Sequence, residues 1–118
     1  MEELDISIFK KTYDLYKEFY SCLKSFPKYE KYSLGQKCDL ILTEFMELLL
    51  QASEQYKQEK FATLQTASVR LNLLRIYLRL CCELKVLDKK KYLSLQIYID
   101  EIGRMLGGWL KSTKEKSP

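Results

Sequence analysis

The 118-residue sequence contains no histidine. That absence removes the usual general base, the commonest metal ligand and any Ser–His or Cys–His nucleophile. Pro27 and Pro118 are the only prolines, and Gly35, Gly103, Gly107 and Gly108 the only glycines. So few turn-formers cannot punctuate a multi-stranded sheet, so helices are favoured before any pattern is read. No apolar run approaches the ~18 residues needed to cross a bilayer, so no membrane partner is expected. The first residues, MEELDISIF, carry three acids and no basic region, which does not read as a secretory signal. A P-loop, a Gly-rich phosphate cradle and an H-E-x-x-H motif are all missing. A diiron bundle would need Glu-x-x-His motifs, so the Glu44/Glu47 pair reads as part of a solvated face. Neither an enzyme, a cofactor nor a small-molecule substrate is expected.

What is present is ordinary globular composition, 47% hydrophobic and 31% charged, in a length that suits one domain. The cysteines (Cys22, Cys38, Cys81 and Cys82) have no CxxC spacing, and each sits in an apolar periodic stretch. They read as small buried hydrophobes of a reduced, cytoplasmic, metal-free protein.

Periodicity predicts an all-α, up-down-up-down four-helix bundle over residues 1–111, with helices at about 6–25, 34–57, 61–87 and 89–111. In the first, Phe9, Tyr13, Tyr16, Tyr20 and Leu23 step by 4, 3, 4 and 3, a seam widened by Leu15, Phe19, Cys22 and Phe26. Pro27 ends it. Ser33 and Gln36 form a Ser-x-x-Gln capping box for the second, whose stripe is Leu34, Cys38, Ile41, Phe45, Leu48, Ala52 and Tyr56. The polar EQYKQEK stretch reads as the next turn. In the third helix the polar residues from Val69 to Leu84 are only Arg70, Asn72, Arg75, Arg79 and Glu83, and Ser68, Asn72, Arg75, Arg79 and Glu83 share one narrow stripe. A helix apolar over most of its circumference is buried on more than one side, so part of it is expected to meet another subunit. Asp88 caps the fourth, whose seam is Leu95, Ile99, Ile102, Leu106 and Trp109. Gly103 and Gly107 there suggest a close approach to another helix, and residues 112–118 are expected to be a disordered tail.

The net charge of +4 divides unevenly. Residues 1–59 carry 8 lysines against 11 acids, whereas residues 60–118 carry 12 cations against 5 acids and all four arginines. Arg75 and Arg79 lie one turn apart on a shared face, where guanidinium forks can grip a phosphate or carboxylate. Arg79 has Glu83 at i+4 as an alternative partner, and Arg104 has Asp100 at i−4, the pairing favoured for it. Arg75 has no such acid and is expected to meet a partner. Arg70 points to the apolar side, so it either snorkels out or reaches across an interface. Lys89, Lys90 and Lys91 stand in the first turn of the fourth helix, where the dipole disfavours cations by about 0.3–1 kcal/mol each. Stability does not explain that placement; solubility would, and so would attraction to a polyanion such as RNA or DNA, for which these lysines and Lys85 just before them are the candidate contacts.

LLRIYLRL (Leu73–Leu80) and DEIGRMLGGWL (Asp100–Leu110) resemble the accessory variability determinant proteins of diversity-generating retroelements. FPKYEKYSLGQ (Phe26–Gln36) is similar to the related four-helix bundles encoded in 23S ribosomal RNA intervening sequences. The resemblance spans Tyr13 to Trp109. It implies a homo-oligomer, a pentameric barrel with a basic surface, that binds the element's reverse transcriptase and nucleic acid during mutagenic copying. It also implies that Arg75 and Arg79 are partner-binding, while Arg104 and Trp109 match a motif that could equally serve packing. The intervening-sequence branch would instead be a structural or RNA-associated oligomer with no reverse transcriptase partner.

Overall fold

The structure, a computed structural model, describes residues 3–114, with side chains from Ser7 onward. It consists of α1 (Glu3–Leu23), the single turn α2 (Lys28–Lys31), α3 (Leu34–Ser53), α4 (Lys57–Glu83) and α5 (Lys89–Lys114). No strand occurs among the described residues. The four long helices form a rod of 51 × 21 × 21 Å in which α1 packs on α5 and α3, and α4 on α3 and α5. Every neighbouring pair is antiparallel, as cross-helix contacts show. Tyr16 reaches Asp39 while Leu23 meets Gly35, and Glu44 pairs with Arg70 while Cys38 faces Cys81. Arg75 reaches Asp100 while Leu71 lies by Gly103, and Lys11 pairs with Glu101 while Ser25 meets Lys91. No helix among the described residues is long and apolar enough to cross a membrane.

The α5 seam is buried along its whole length, from Leu95 through Trp109. In α1 the core is instead the flanking set. Ile8, Leu15, Phe19, Cys22 and Phe26 are buried, whereas Tyr13 and Tyr20 are 59% and 56% exposed. The buried face lies about 100° around the helix from the aromatic seam expected to fill the core. Aliphatic and phenyl side chains take the interior because a tyrosine hydroxyl placed there needs a hydrogen-bond partner. Tyr16, at the margin between the two faces, finds one in Asp39. Thr12 is buried but satisfied, its hydroxyl donating to the Ile8 carbonyl at 2.7 Å.

Other boundaries also shift. Ser33 makes no side-chain cap bond, so the Ser-x-x-Gln box does not form. Its ψ of −96° departs from the extended conformation that aims a capping hydroxyl at the first turn. The α2 turn causes this, because the Ser33 N–H is already donating to the Glu30 carbonyl. That corner is tight: a Cβ on Gly35 would stand 2.6 Å from Leu23 and 3.2 Å from the Glu30 carbonyl oxygen. The polar EQYKQEK stretch is turn only through Tyr56, since α4 starts at Lys57. At the other end, Ser112 to Lys114 continue α5 rather than forming a tail, with Thr113 buried and donating to the Leu110 carbonyl. Residues 115–118 of the expected tail lie outside the described residues.

Three cysteines are buried and all four are free thiols. Cys38 of α3 faces Cys81 of α4, and that neighbour together with burial raises the Cys38 pKa.

The Tyr16 hydroxyl is pushed up to about 12, first by the bond it donates to Asp39, then by burial and by the carboxylate's charge. Folding favours the neutral phenol, so this contribution is complete below the unfolded value near 10 and is lost as pH rises through about 12. Tyr16→Phe is expected to cost about 1 kcal/mol in urea unfolding at neutral pH. The difference from the parent protein should shrink as pH climbs above 10, and a gap that ignores pH would remove the hydroxyl as its cause.

Candidate partner-binding surface

The α4–α5 connection places the lysines. Helix α4 ends in a Schellman turn: the Val86 N–H donates to the Cys81 carbonyl at 2.9 Å and the Lys85 N–H to Cys82 at 3.0 Å. Lys85 occupies the left-handed position that such turns usually give to glycine, with φ of 64°. Leu87 is buried and anchors the loop. Asp88 then caps α5, its carboxylate accepting from the Lys91 N–H at 2.8 Å.

Lys85, Lys89 and Lys91 consequently line one cavity of about 600 Å³, together with Cys22, Ser25 and Cys82. Lys91 donates to the Ser25 hydroxyl at 2.9 Å, which ties this end to α1. Lys90 is exposed beside the cavity without lining it. Asp88 is the only acid in the lining. Burial raises the Cys22 pKa, aided by Glu18 and opposed by Lys91. Cations in the first turn of a helix and a left-handed lysine both lower stability. Gathering them around one cavity creates a positive potential that an anion would relieve.

The arginines are mostly engaged within the chain. Arg75, expected to meet a partner, instead bridges α4 and α5 by donating to Asp100 at 2.6 Å. Gly103 makes room for it, since a Cβ there would lie 3.1 Å from the guanidinium. Asp100 is therefore occupied by Arg75 rather than by Arg104, the i,i+4 pairing that helical spacing favoured. Arg104 is exposed and lines, with Arg75, a groove of about 400 Å³ between α4 and α5. Arg79 pairs with Glu83 at 3.1 Å, both side chains well exposed, so the bond is weak and exchangeable. Arg70 reaches Glu44 of α3 at 3.3 Å within the same chain. Of the two glycines expected to mark a close approach, only Gly103 has such a neighbour; a Cβ on Gly107 would meet nothing within 4 Å. Trp109 is buried and packs, with Lys60 over its ring at 5.9 Å.

Two surfaces are not evident from helical spacing, or only partly so. The outer side of α4 exposes Val69, Ile76 and Leu80 opposite its core face, with Leu84 exposed just past its end. Residues 10–37 hold seven lysines against Asp14, Glu18 and Glu30, a basic segment concealed by counting charge over the whole first half. In it Tyr13, Tyr20, Tyr29 and Tyr32 are exposed, and the last two line a cleft of about 770 Å³ with Lys28 and Lys37. Pairing Tyr13, Tyr20 and Tyr32 with lysines three or four residues away, and Tyr29 with the adjacent Lys28, would have revealed this pattern.

A family model described as bAvd-like matches residues 6–113, nearly the whole chain, and the chain belongs to that family. No curated protein matches it.

Lys85→Gly should raise stability by about 1 kcal/mol in urea unfolding, because glycine carries no penalty in the left-handed region. Lys85→Ala should bring no such gain. Equal effects would exclude backbone strain at this turn.

Proposed function

We propose that this bAvd-like protein is a non-catalytic accessory protein of a diversity-generating retroelement. It acts as a homo-oligomer that docks the element's reverse transcriptase and holds its template RNA and cDNA. The observation that carries the reading is the convergence of Lys85, Lys89 and Lys91 on one cavity at the α5 N-terminus, with Lys90 exposed alongside. In this reading those lysines and Arg104 meet nucleic-acid phosphates. Arg79, whose pair with Glu83 exchanges readily, grips a carboxylate of the reverse transcriptase. Arg75 and Arg70 act by holding α4 against α5 and α3. The outer apolar stripe of α4 supplies the contact between copies, since burying it removes Val69, Ile76 and Leu80 from water.

Arg79→Ala is expected to reduce co-purification with the reverse transcriptase at least tenfold, a loss of ~1.4 kcal/mol. It is a cleaner variant than Arg75→Ala, which also opens the α4–α5 contact; undiminished binding would sink the assignment of Arg79. Lys89→Gln with Lys90→Gln should weaken binding to single-stranded RNA. Its salt dependence should flatten by about 0.7 in log–log slope for each phosphate no longer neutralised. A slope equal to that of the parent would remove these lysines from the interface.

Light scattering should give a multiple of the 14.1 kDa chain mass, reduced by Ile76→Lys. A parent protein that scatters as a monomer would overturn the oligomer.

A further inference from the structure

On α1, Lys10, Tyr13, Lys17, Tyr20 and Lys24 follow one another at steps of 3, 4, 3 and 4, and all five are exposed. The run spans 14 residue steps from Lys10 to Lys24, ~21 Å of helix. Cations and rings therefore alternate along one face, turned away from the buried side formed by Leu15, Phe19 and Cys22. Lys17 lies 5.0 Å from the centre of the Tyr13 ring, and Lys24 lies 5.5 Å from that of Tyr20. Neither ring's hydroxyl has a hydrogen-bond partner among the described residues, in contrast to Tyr16. Interior packing and hydroxyl bonding thus leave both rings unaccounted for. Pairing with lysine supports the helix, but that role needs neither the alternation nor rings more than half exposed.

We propose that this Lys–Tyr face of α1 is a binding site for an unpaired nucleic-acid strand, with bases stacked on Tyr13 and Tyr20 and phosphates held by Lys10, Lys17 and Lys24. The inference rests on the nucleic-acid part of the reading above and adds a second face and the form of the ligand. Exposed rings offer a π-face that any base can use, and lysines between them offer point charges to the backbone that joins the bases. A duplex keeps its bases stacked on each other, so the rings select single strands. Asp14 lies beside this face, 3.7 Å from Lys10 and 3.8 Å from Lys17. Both contacts are long and their lysine ends are exposed although Asp14 is half-buried, and a polyanion competes readily for such lysines. Glu18, also on α1, is half-buried and lies off the stripe.

The test is the affinity of the full chain for a short labelled single-stranded RNA, for the same strand made abasic, and for an RNA duplex. Tyr13→Ala and Tyr20→Ala are each expected to lower single-strand affinity roughly five- to a hundredfold. Tyr13→Phe with Tyr20→Phe, which keeps the rings and the helix, should bind like the parent. Neither alanine substitution should change binding of the abasic strand or the duplex. Single-strand affinity unchanged in both alanine variants overturns the site. An equal loss on the abasic strand also overturns it, since stacking would then not be the cause. RNA binding that survives while the reverse transcriptase is released would make this a protein-binding face and refute the proposal. Lys89→Gln with Lys90→Gln, measured on the same strands, separates the two sites: failure of the loop lysines leaves the tyrosine effect standing, and the reverse holds.

Discussion

A bundle 21 Å across has room for a single apolar stripe from each of its four helices, and this limit orders the rest of the molecule. Leu, Ile and Phe side chains each contribute about 1.5–3 kcal/mol when buried, so they compete for that interior. On α5 the competition has no contest, because its seam from Leu95 to Trp109 is also its only strong apolar face. On α1 two candidate stripes exist, and the one without hydroxyls wins. On α4 the core takes Leu64, Ala67, Leu71, Leu74, Leu78 and Cys81, which leaves Val69, Ile76 and Leu80 facing outward. The exposed tyrosines and the exposed aliphatic stripe have one origin, namely more apolar sequence than a single bundle can enclose.

Charge is divided by a similar rule. Arginine presents a rigid fork suited to carboxylates, and Arg70, Arg75 and Arg79 each hold one, from α3, α5 and α4 respectively. The first two of those bonds fasten α4 on both flanks. The cations left around the bundle end are lysines, compact charges on flexible stems that can adapt to a ligand. Helical spacing places a residue on a face but does not say which neighbour faces it. The bond between Arg75 and Asp100 spans two helices and 25 positions, so no i,i+4 count could find it.

Much of the architecture was legible in the sequence: four long helices, the Asp88 cap, the α5 seam and an over-apolar third long helix that ends up only partly covered. The misreadings have physical causes. Counting tyrosine as simply apolar rotated the α1 face, since the ring and the hydroxyl want different surroundings. A capping motif at Ser33 carried no information about the α2 turn that had already engaged its backbone. Gly103 and Gly107 are equivalent as spacing, yet only one has an arginine lying across it. Of the candidate site, the lysine cluster was visible as charge on a helix end, while its cavity depends on Cys22 and Ser25, more than 60 residues away in the chain. The basic segment at 10–37 was missed because a window of half the chain averaged it away.

The antiparallel order also has a kinetic meaning. Connections of residues 54–56 and 84–88 join α3 to α4 and α4 to α5, so those two hairpins close short loops at small entropic cost. The contact of α1 with α5 differs: the pairing of Lys11 with Glu101 encloses nearly the whole chain. Seating α1 against α5 therefore bears the largest loop-closure entropy in the bundle. Opening along the seam between α1 and α5 would carry Cys22 and Ser25 away from Lys85, Lys89 and Lys91, so the lysine-lined cavity exists only while α1 is seated.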